Sequence, residues 1–450
     1  MKPVDWLRAA AERNPDAPAL VVGDEAVSYA ALDEAATAVA AALTGSGAAP
    51  GTRVALWGTR EPRTVAALWG IPRAGCVAVP LSPGLPAARA VRVTEAAGAA
   101  VLWERTDDVL GPHRPHAPAP GAWGPPDPGA RFVVFTSGSS GDPKGVVITG
   151  EMIEASVAAS RARLGTGPDD RWLCVLPLSH VGGLSILWRQ ARDAAAVVLE
   201  RRFDPAVAAR LMAGGSANVA SLVPTMLRRM LDAGPGRYDG VKAVLVGGGP
   251  MDEALLRRAL DAGLPALQTY GMTETVGQAA TVTPGEERSR IGTAGRPLDG
   301  VEIRVTGAGG TPAPAGTPGR IEVRGPVVSP GYIGETERNA AEWFRSGDLG
   351  MLDADGYLTV LGRADDVIVT GGENVDPRQV EDVLEGLRGV AHVRVYAGDD
   401  DEWGRVVCAD VVLEGSSLDE VRAAARAALP GFMVPKRWRV VERIERGWKD

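Results

Sequence analysis

The residues best equipped for chemistry lie in one short string, Phe135-Thr-Ser-Gly-Ser-Ser-Gly-Asp-Pro-Lys-Gly145. Glycines and hydroxyl side chains in a turn can aim several N–H and O–H groups at one spot, which is what a triphosphate requires. Thr136, Ser137, Ser139 and Ser140 supply the hydroxyls, Gly138 and Gly141 allow a tight path, and Lys144 supplies the charge. Lysine occurs at only five positions among 48 Lys and Arg residues, so its placement beside this loop is informative. The string is not a Walker loop, because Pro143 precedes the lysine and Gly145 follows it. Nor is it a serine-hydrolase elbow, since Gly141 arrives one position too early for G-x-S-x-G. An adjacent Ser179-His180 pair is no hydrolase dyad either, because neighbouring side chains on a strand point apart.

Such a loop must be held by a scaffold, and the flanking sequence describes one. Val133-Val-Phe135 enters the loop as a strand and Gly145-Val-Val-Ile148 leaves it as another. Earlier, helical patterns at 5–11, 29–43 and 61–74 alternate with strand-like runs at 27–29, 53–57 and 76–79, a signature of layered α/β architecture with largely parallel sheets. Seven prolines between Gly111 and Gly129 read as an extended surface connection. Ala243-Val-Leu-Val246 is a buried-type strand running into Gly247-Gly-Gly-Pro250, with a helix over 251–262. Loops at the carboxyl ends of such strands are where open α/β sheets bind ligands. From Ile291 to Tyr357 the texture changes to short alternating strands such as 301–305 and 320–324, a β-rich subdomain. A final block follows Gly362-Arg-Ala-Asp-Asp366, with helices over 377–387 and 418–429 and strands over 393–397 and 406–413. The expected fold is therefore α/β, a large layered αβαβα N-terminal domain with a β-rich subdomain, residues 1–361, joined by a hinge to a small α+β C-terminal domain, residues 362–450.

Bulk properties exclude several classes. At 450 residues, one core is not expected to serve the whole chain. A formal charge of -8 argues against a nucleic-acid surface, and 45% hydrophobic with 23% charged residues is ordinary for a globular protein. Cys76, Cys174 and Cys408 have neither disulfide-framework nor zinc spacing, which points to a reducing cytoplasm. The four histidines, at 113, 116, 180 and 392, form no metalloprotease pair. The N-terminus mixes Asp5 and Arg8 into any would-be signal, and no charge-free apolar run reaches the roughly 18 residues of a membrane span. No membrane or nucleic-acid partner is expected.

The loop resembles the signature of the adenylate-forming superfamily of acyl-CoA synthetases, peptide-synthetase adenylation domains and luciferases, aromatic-Thr-Ser-Gly-Thr-Thr-Gly-x-Pro-Lys-Gly, with serine for threonine at 139 and 140. Further motifs follow in that family's order. Gly247-Gly248-Gly249-Pro250 resembles the backbone platform beside adenine, and Tyr270-Gly271-Met272-Thr273-Glu274-Thr275 the motif whose aromatic stacks on adenine. The resemblance implies that Thr273 touches the α-phosphate and that Glu274 holds magnesium. It also implies that Asp348 of Trp343-Phe-Arg-Ser-Gly-Asp348 binds the ribose hydroxyls with Arg363, that Asp365 is a pivot, and that Gly371-Gly372-Glu373 line a channel for CoA. The chemistry agrees, because a hard cation prefers carboxylate oxygen and a carboxylate suits a vicinal diol.

The implied reaction is ATP- and Mg-dependent adenylation of a carboxylic acid with release of pyrophosphate, then transfer to CoA. Phosphoryl-type transfer is catalysed mainly by positioning and charge neutralisation. Segments around Leu176-Pro-Leu-Ser-His180, Ser221-Leu-Val-Pro-Thr225 and Gly277-Gln278 are most similar to the o-succinylbenzoate-CoA ligases of menaquinone biosynthesis within that family. By that likeness His180, Gly271 and Gln278 border an aromatic acid, with Ser221 and Thr225 near its far end. The chain departs from the family at its terminus. Where the family has Pro-Arg-x-x-x-Gly-Lys, it has Glu445-Arg-Gly-Trp-Lys449-Asp450, with the lysine two residues early. Lys449 is the candidate for the catalytic lysine. Two alternatives stay open: transfer of the adenylate to an amine or other non-CoA nucleophile, and a nucleotide-binding regulatory protein without turnover.

Overall fold

The computed structural model describes residues 5–85, 87–99, 101–103, 129–137, 143–249, 251–335, 338, 341–364, 368–370, 373–375, 377–400 and 404–444. Two sheets organise its first 300 residues. A nine-stranded sheet runs in the order Arg296–Pro297, Ala280–Thr281, Ala266–Tyr270, Ala243–Val246, Val219–Leu222, Arg171–Cys174, Ala196–Leu199, Pro18–Val22, Glu25–Ser28. Its six central strands pair in parallel, and antiparallel partners close both ends. A five-stranded sheet has the order Val101–Trp103, Arg53–Trp57, Val77–Leu81, Ala130–Ser137, Pro143–Thr149. Only its last pair is antiparallel.

Alternation along the strands explains the layers, because successive side chains point to opposite faces. Trp172 and Cys174 enter the core between the sheets, whereas Leu173 and Val175 enter a second core beneath the helices Pro205–Ala213, Pro224–Ala233 and Glu253–Asp261. Phe132 and Val134 likewise face the central core, and Ala130 and Val133 face a third with the helix Ala87–Ala97. Strands buried on both faces need apolar residues at every position, as Ala196–Leu199 and Ala243–Val246 show. The central helices are correspondingly apolar. Val181–Asp193 buries ten of its thirteen residues. The architecture is thus αβαβα, with mixed α/β character throughout.

The strands Glu302–Thr306, Gly319–Arg324, Phe344–Leu352 and Leu358–Arg363 form a four-stranded sheet, where the sequence texture changes as expected. The C-terminal region has its own core around Val380, Leu384, Val393, Val407 and Val411. There a long hairpin, Val390–Asp400 with Gly404–Leu413, is joined in parallel by Arg437–Val440 and packed by Pro377–Glu385 and Leu418–Ala428. The hairpin strands run longer than apolar alternation alone suggests, because their ends pair through polar residues such as Asp399 with Arg405. Arg437–Val440 escaped the sequence reading because it is a largely exposed edge strand with little apolar signal. By packing, the chain divides into two compact units. One holds residues 1–304, 322–344 and 352–359; the other holds 305–321, 345–351 and 360–450. Among the described residues no helix is long and apolar enough to cross a membrane.

Candidate active site

The loop expected to grip phosphates closes an antiparallel hairpin in which Phe135 pairs with Gly145, Thr136 with Lys144 and Ser137 with Pro143. Thr136 Oγ1 donates to the Lys144 carbonyl at 3.4 Å. Gly138, Ser139, Ser140 and Gly141 lie outside the described residues, as does the side chain of Ser137. Lys144 extends from the far strand with about half its side chain exposed, its Nζ 5.0 Å from the centre of the Tyr332 ring and 3.8 Å from Glu335 Oε1.

Tyr332 reaches this position because its segment runs along the outgoing strand. Val147 N–H donates to the Gly331 carbonyl at 3.1 Å, and Ile333 N–H to the Gly145 carbonyl at 2.9 Å. A side chain at Gly145 would meet Ile333 Cδ1 at 2.9 Å, so the close approach depends on glycine. Ser329 fastens the segment further, its Oγ donating to the Val147 carbonyl at 2.7 Å. Tyr332 and Glu335 carry no local signal in the sequence and become neighbours of Lys144 only through pairing across more than 180 residues.

The strand Ala266–Tyr270 ends in a compact turn. Met272 N–H donates to Thr275 Oγ1 at 3.0 Å, Gly277 N–H to the Met272 carbonyl at 2.9 Å, and Ala279 N–H to the Tyr270 carbonyl at 2.8 Å. A side chain at Gly271 would collide with the Gly277 carbonyl oxygen, so glycine is required there. Thr273 and Glu274 begin a short 3₁₀ turn and are half-buried. Glu274 is held at two points. Its Oε1 accepts the Tyr332 hydroxyl at 2.7 Å, and its carbonyl accepts the Ser329 N–H at 2.8 Å. Magnesium bound with a nucleotide needs one or two carboxylates and otherwise takes phosphate and water oxygens. Glu274 fits that donor set, and among the described residues no group of three or more His, Cys, Asp or Glu forms an all-protein cage. Gly248 and Gly249 are exposed beyond the end of Ala243–Val246, and Pro250 lies outside the described residues.

Asp348 and Arg363 belong to the second unit. Asp348 N–H donates to Ser346 Oγ at 3.1 Å. The Arg363 guanidinium lies over Gly347, where an added side chain would meet its Nη2 at 2.5 Å, and its Nη1 is 3.7 Å from Asp348 Oδ1. The two residues expected to share a ribose are thus neighbours. Glu373 ends a hairpin that pairs it with Thr370; its side chain, Asp365, Gly371, Gly372 and Lys449 lie outside the described residues.

Around the expected acid pocket the structure adds a residue. His180 is the half-buried N-cap of Val181–Asp193, and Thr225 sits half-buried in the first turn of Pro224–Ala233. Ser221 is buried and accepts the Trp172 Nε1–H at 3.1 Å. Gln278, 2% exposed, does not present a free amide: its Oε1 accepts from Arg189 Nη2 at 2.6 Å and its Nε2 donates to Thr281 Oγ1 at 3.0 Å. Arg189, 5% exposed, also lies 5.1 Å from the Trp172 ring centre and so links the Ser221 and Gln278 groups. Its Nε has no hydrogen-bond partner, and burial pushes its pKa down to about 9. A buried guanidinium usually has a carboxylate beside it; none is paired with Arg189 among the described residues. The sequence did carry a signal: Arg189 directly follows the apolar run Ile186-Leu-Trp188 on a helix that buries ten of its thirteen residues.

Comparison with known proteins accords with these features. Residues 7–333 match the AMP-binding enzyme family and residues 379–447 the AMP-binding enzyme C-terminal domain. The 2-succinylbenzoate–CoA ligase of Bacillus licheniformis is 34% identical over 98% of this chain and 96% of its own length. That of Listeria monocytogenes is 36% identical over 70% of this chain and 67% of its own length. Among solved structures, the Bacillus subtilis o-succinylbenzoate CoA synthetase with its acyl-adenylate intermediate superposes with a TM-score of 0.86 at 29% identity, covering 98% of this chain and 95% of that one. The same enzyme with ATP and magnesium gives 0.86 at 29% identity, over 98% and 96%.

Proposed function

Because the chain belongs to the AMP-binding enzyme family, over its N-terminal and C-terminal parts alike, we propose that it converts o-succinylbenzoate to its CoA thioester through an acyl-adenylate. ATP-dependent adenylation followed by transfer to CoA is the chemistry of the family relatives. A carboxylate oxygen attacks the α-phosphorus of ATP, the bond to the bridging oxygen breaks, and pyrophosphate leaves. The thiol of CoA then adds to the acyl carbon, AMP departs, and the thiol proton passes to solvent.

Each residue group has a part in this reading. Thr136, Ser137, the loop Gly138–Gly141 and Lys144 hold the β,γ-phosphates, and Thr273 orients the α-phosphate. Glu274 holds magnesium, which supplies charge neutralisation at the phosphates when bound. Gly248, Gly249, Pro250, Tyr270, Gly271 and Met272 frame adenine, Asp348 and Arg363 the ribose, and Gly371, Gly372 and Glu373 the CoA channel. Lys449 assists adenylation. Residues 362–450 turn about Asp365 between the two half-reactions, a division favoured by the separate family matches on either side of it. Three buried, unpaired cysteines accord with a reducing cytoplasm.

The observation that carries the choice of acid is Arg189. A substrate with two carboxylates can offer one to ATP and the other to a guanidinium that is buried beside Gln278 and Trp172 with its Nε unpartnered. His180 and Thr225 then border the aromatic body. The test is pyrophosphate release with o-succinylbenzoate, benzoate, succinate and medium-chain fatty acids, each with and without CoA, with products identified by mass. The diacid should exceed each monocarboxylate by at least about 100-fold in kcat/KM, the loss expected when a buried charge is left unpaired. Equal turnover of a monocarboxylate would refute the assignment.

A further inference from the structure

We propose that Tyr332 is a positioning residue for adenylation: its hydroxyl fixes the Glu274 carboxylate while its ring supports the Lys144 ammonium, so one side chain aligns the metal-binding and phosphate-binding groups. This rests on the reading of Glu274 as the magnesium carboxylate and Lys144 as the phosphate cation. The hydroxyl donates to Glu274 Oε1 at 2.7 Å, and Lys144 Nζ lies 5.0 Å from the ring centre. A donor on one carboxylate oxygen restricts rotation about the carboxyl bond and leaves the other oxygen for a cation. Partners of metal-binding side chains tune affinity in this way.

The backbone gives the arrangement its stiffness. Tyr332 forms a bridge with Val146, flanked by the hydrogen bonds from Val147 to Gly331 and from Ile333 to Gly145. Ser329 binds the Glu274 carbonyl through its N–H and the Val147 carbonyl through its hydroxyl. The phosphate hairpin, the Glu274 turn and the Tyr332 segment are therefore tied together by main chain, and Tyr332 adds the side-chain link. By contrast, the ion pair of Lys144 with Glu335 spans 3.8 Å between two half-exposed side chains. Such a pair is weak in water and yields readily to a phosphate.

The test measures ATP binding calorimetrically on the full chain, without acid, over a Mg²⁺ titration and in EDTA, for wild type, Tyr332→Phe, Tyr332→Leu, Glu274→Gln and the Tyr332→Phe/Glu274→Gln double variant. Phe keeps the ring and removes only the hydroxyl. Tyr332→Phe should raise the Mg²⁺ concentration for half-maximal ATP binding about 10-fold or more, with affinity in EDTA within about twofold of wild type. Tyr332→Leu should weaken the EDTA affinity as well. In the Glu274→Gln background, Tyr332→Phe should add less than about twofold. A merely structural role would weaken binding equally with and without Mg²⁺, or add fully to Glu274→Gln; either result overturns the proposal, as does wild-type Mg²⁺ dependence in Tyr332→Phe. If instead Glu274→Gln leaves the Mg²⁺ dependence of wild type unchanged, the reading of Glu274 fails and the proposal with it.

Discussion

Replacing Arg189 with Met should move stability and activity in opposite directions. The guanidinium is 5% exposed, and burial lowers its pKa well below the ordinary arginine value, to about 9. That fall corresponds to a penalty of about 5 kcal/mol against the charged form in the free protein. Met removes the penalty at similar volume. It also strands Gln278 Oε1, which costs about 1–3 kcal/mol, and removes the contact with Trp172, worth about 0.5–2 kcal/mol. The variant should therefore equal wild type or exceed it by up to about 3 kcal/mol, in line with apolar replacement of buried ions elsewhere. Loss of a desolvated partner for the second carboxylate should remove about 2–5 kcal/mol of recognition, or roughly 30- to 5,000-fold in kcat/KM for o-succinylbenzoate. Urea denaturation and pyrophosphate release on the same preparation measure both effects. A variant that is less stable by more than about 1 kcal/mol yet keeps its preference for the diacid would refute the reasoning, since Arg189 would then be a structural cation.

Two further outcomes follow from the same geometry. The Arg189 pKa is lowered on folding, so between about pH 9 and the ordinary value the unfolded chain binds more protons and the burial penalty eases as pH rises. The cation predominates below about pH 9 and is lost above it; kcat/KM for the acid should fall through that pH while the KM for ATP stays flat, and kcat should break at higher pH because a bound carboxylate restores the guanidinium's affinity for its proton. Steady-state profiles with each substrate varied in turn check this, and a flat acid profile to pH 10 would count against it. Gly271→Ala places a methyl against the Gly277 carbonyl, where no flexible side chain can yield. It should destabilise the protein by about 1–3 kcal/mol and weaken Mg-ATP binding through the Glu274 turn; unchanged melting and unchanged ATP affinity would contradict it.

How far the sequence could be read depended on the range of the interactions. Ala243–Val246 and Ala130–Ser137 were legible because a strand's alternation is written locally, and the turns beyond them because glycine and proline punctuate them. The strings that resemble nucleotide motifs are recognisable for a similar reason: each is contiguous in the sequence. The acid pocket was harder. Ser221 and Gln278 stand in separate strings, and the residue linking their groups is Arg189, which meets Gln278 across 89 residues and lies against Trp172, the partner of Ser221. Tyr332 was missed likewise, its hydroxyl reaching Glu274 across 58 residues. Pairings of this kind have no local pattern to announce them.

Lys144 and Arg189, both in the first unit, are held in contrasting ways, and the contrast bears on selectivity. Lys144 is half-exposed beside Glu335 and Tyr332, so giving it to a phosphate costs little. On the proposed reading, Lys144 then serves the phosphates together with the half-buried turn at Thr273 and Glu274. Arg189 has been desolvated in advance, and its charge is opposed by its surroundings until an anion arrives. If the acid binds there as proposed, a diacid would relieve that penalty, whereas a monocarboxylate of the same shape would leave the charge uncompensated. Discrimination by an unsatisfied polar group is steeper than discrimination by a missing methylene, about 10⁴-fold against about 10²-fold at the limits. On the proposed reading, selectivity for the acid would rest on one arginine that the fold keeps buried with its Nε unpartnered.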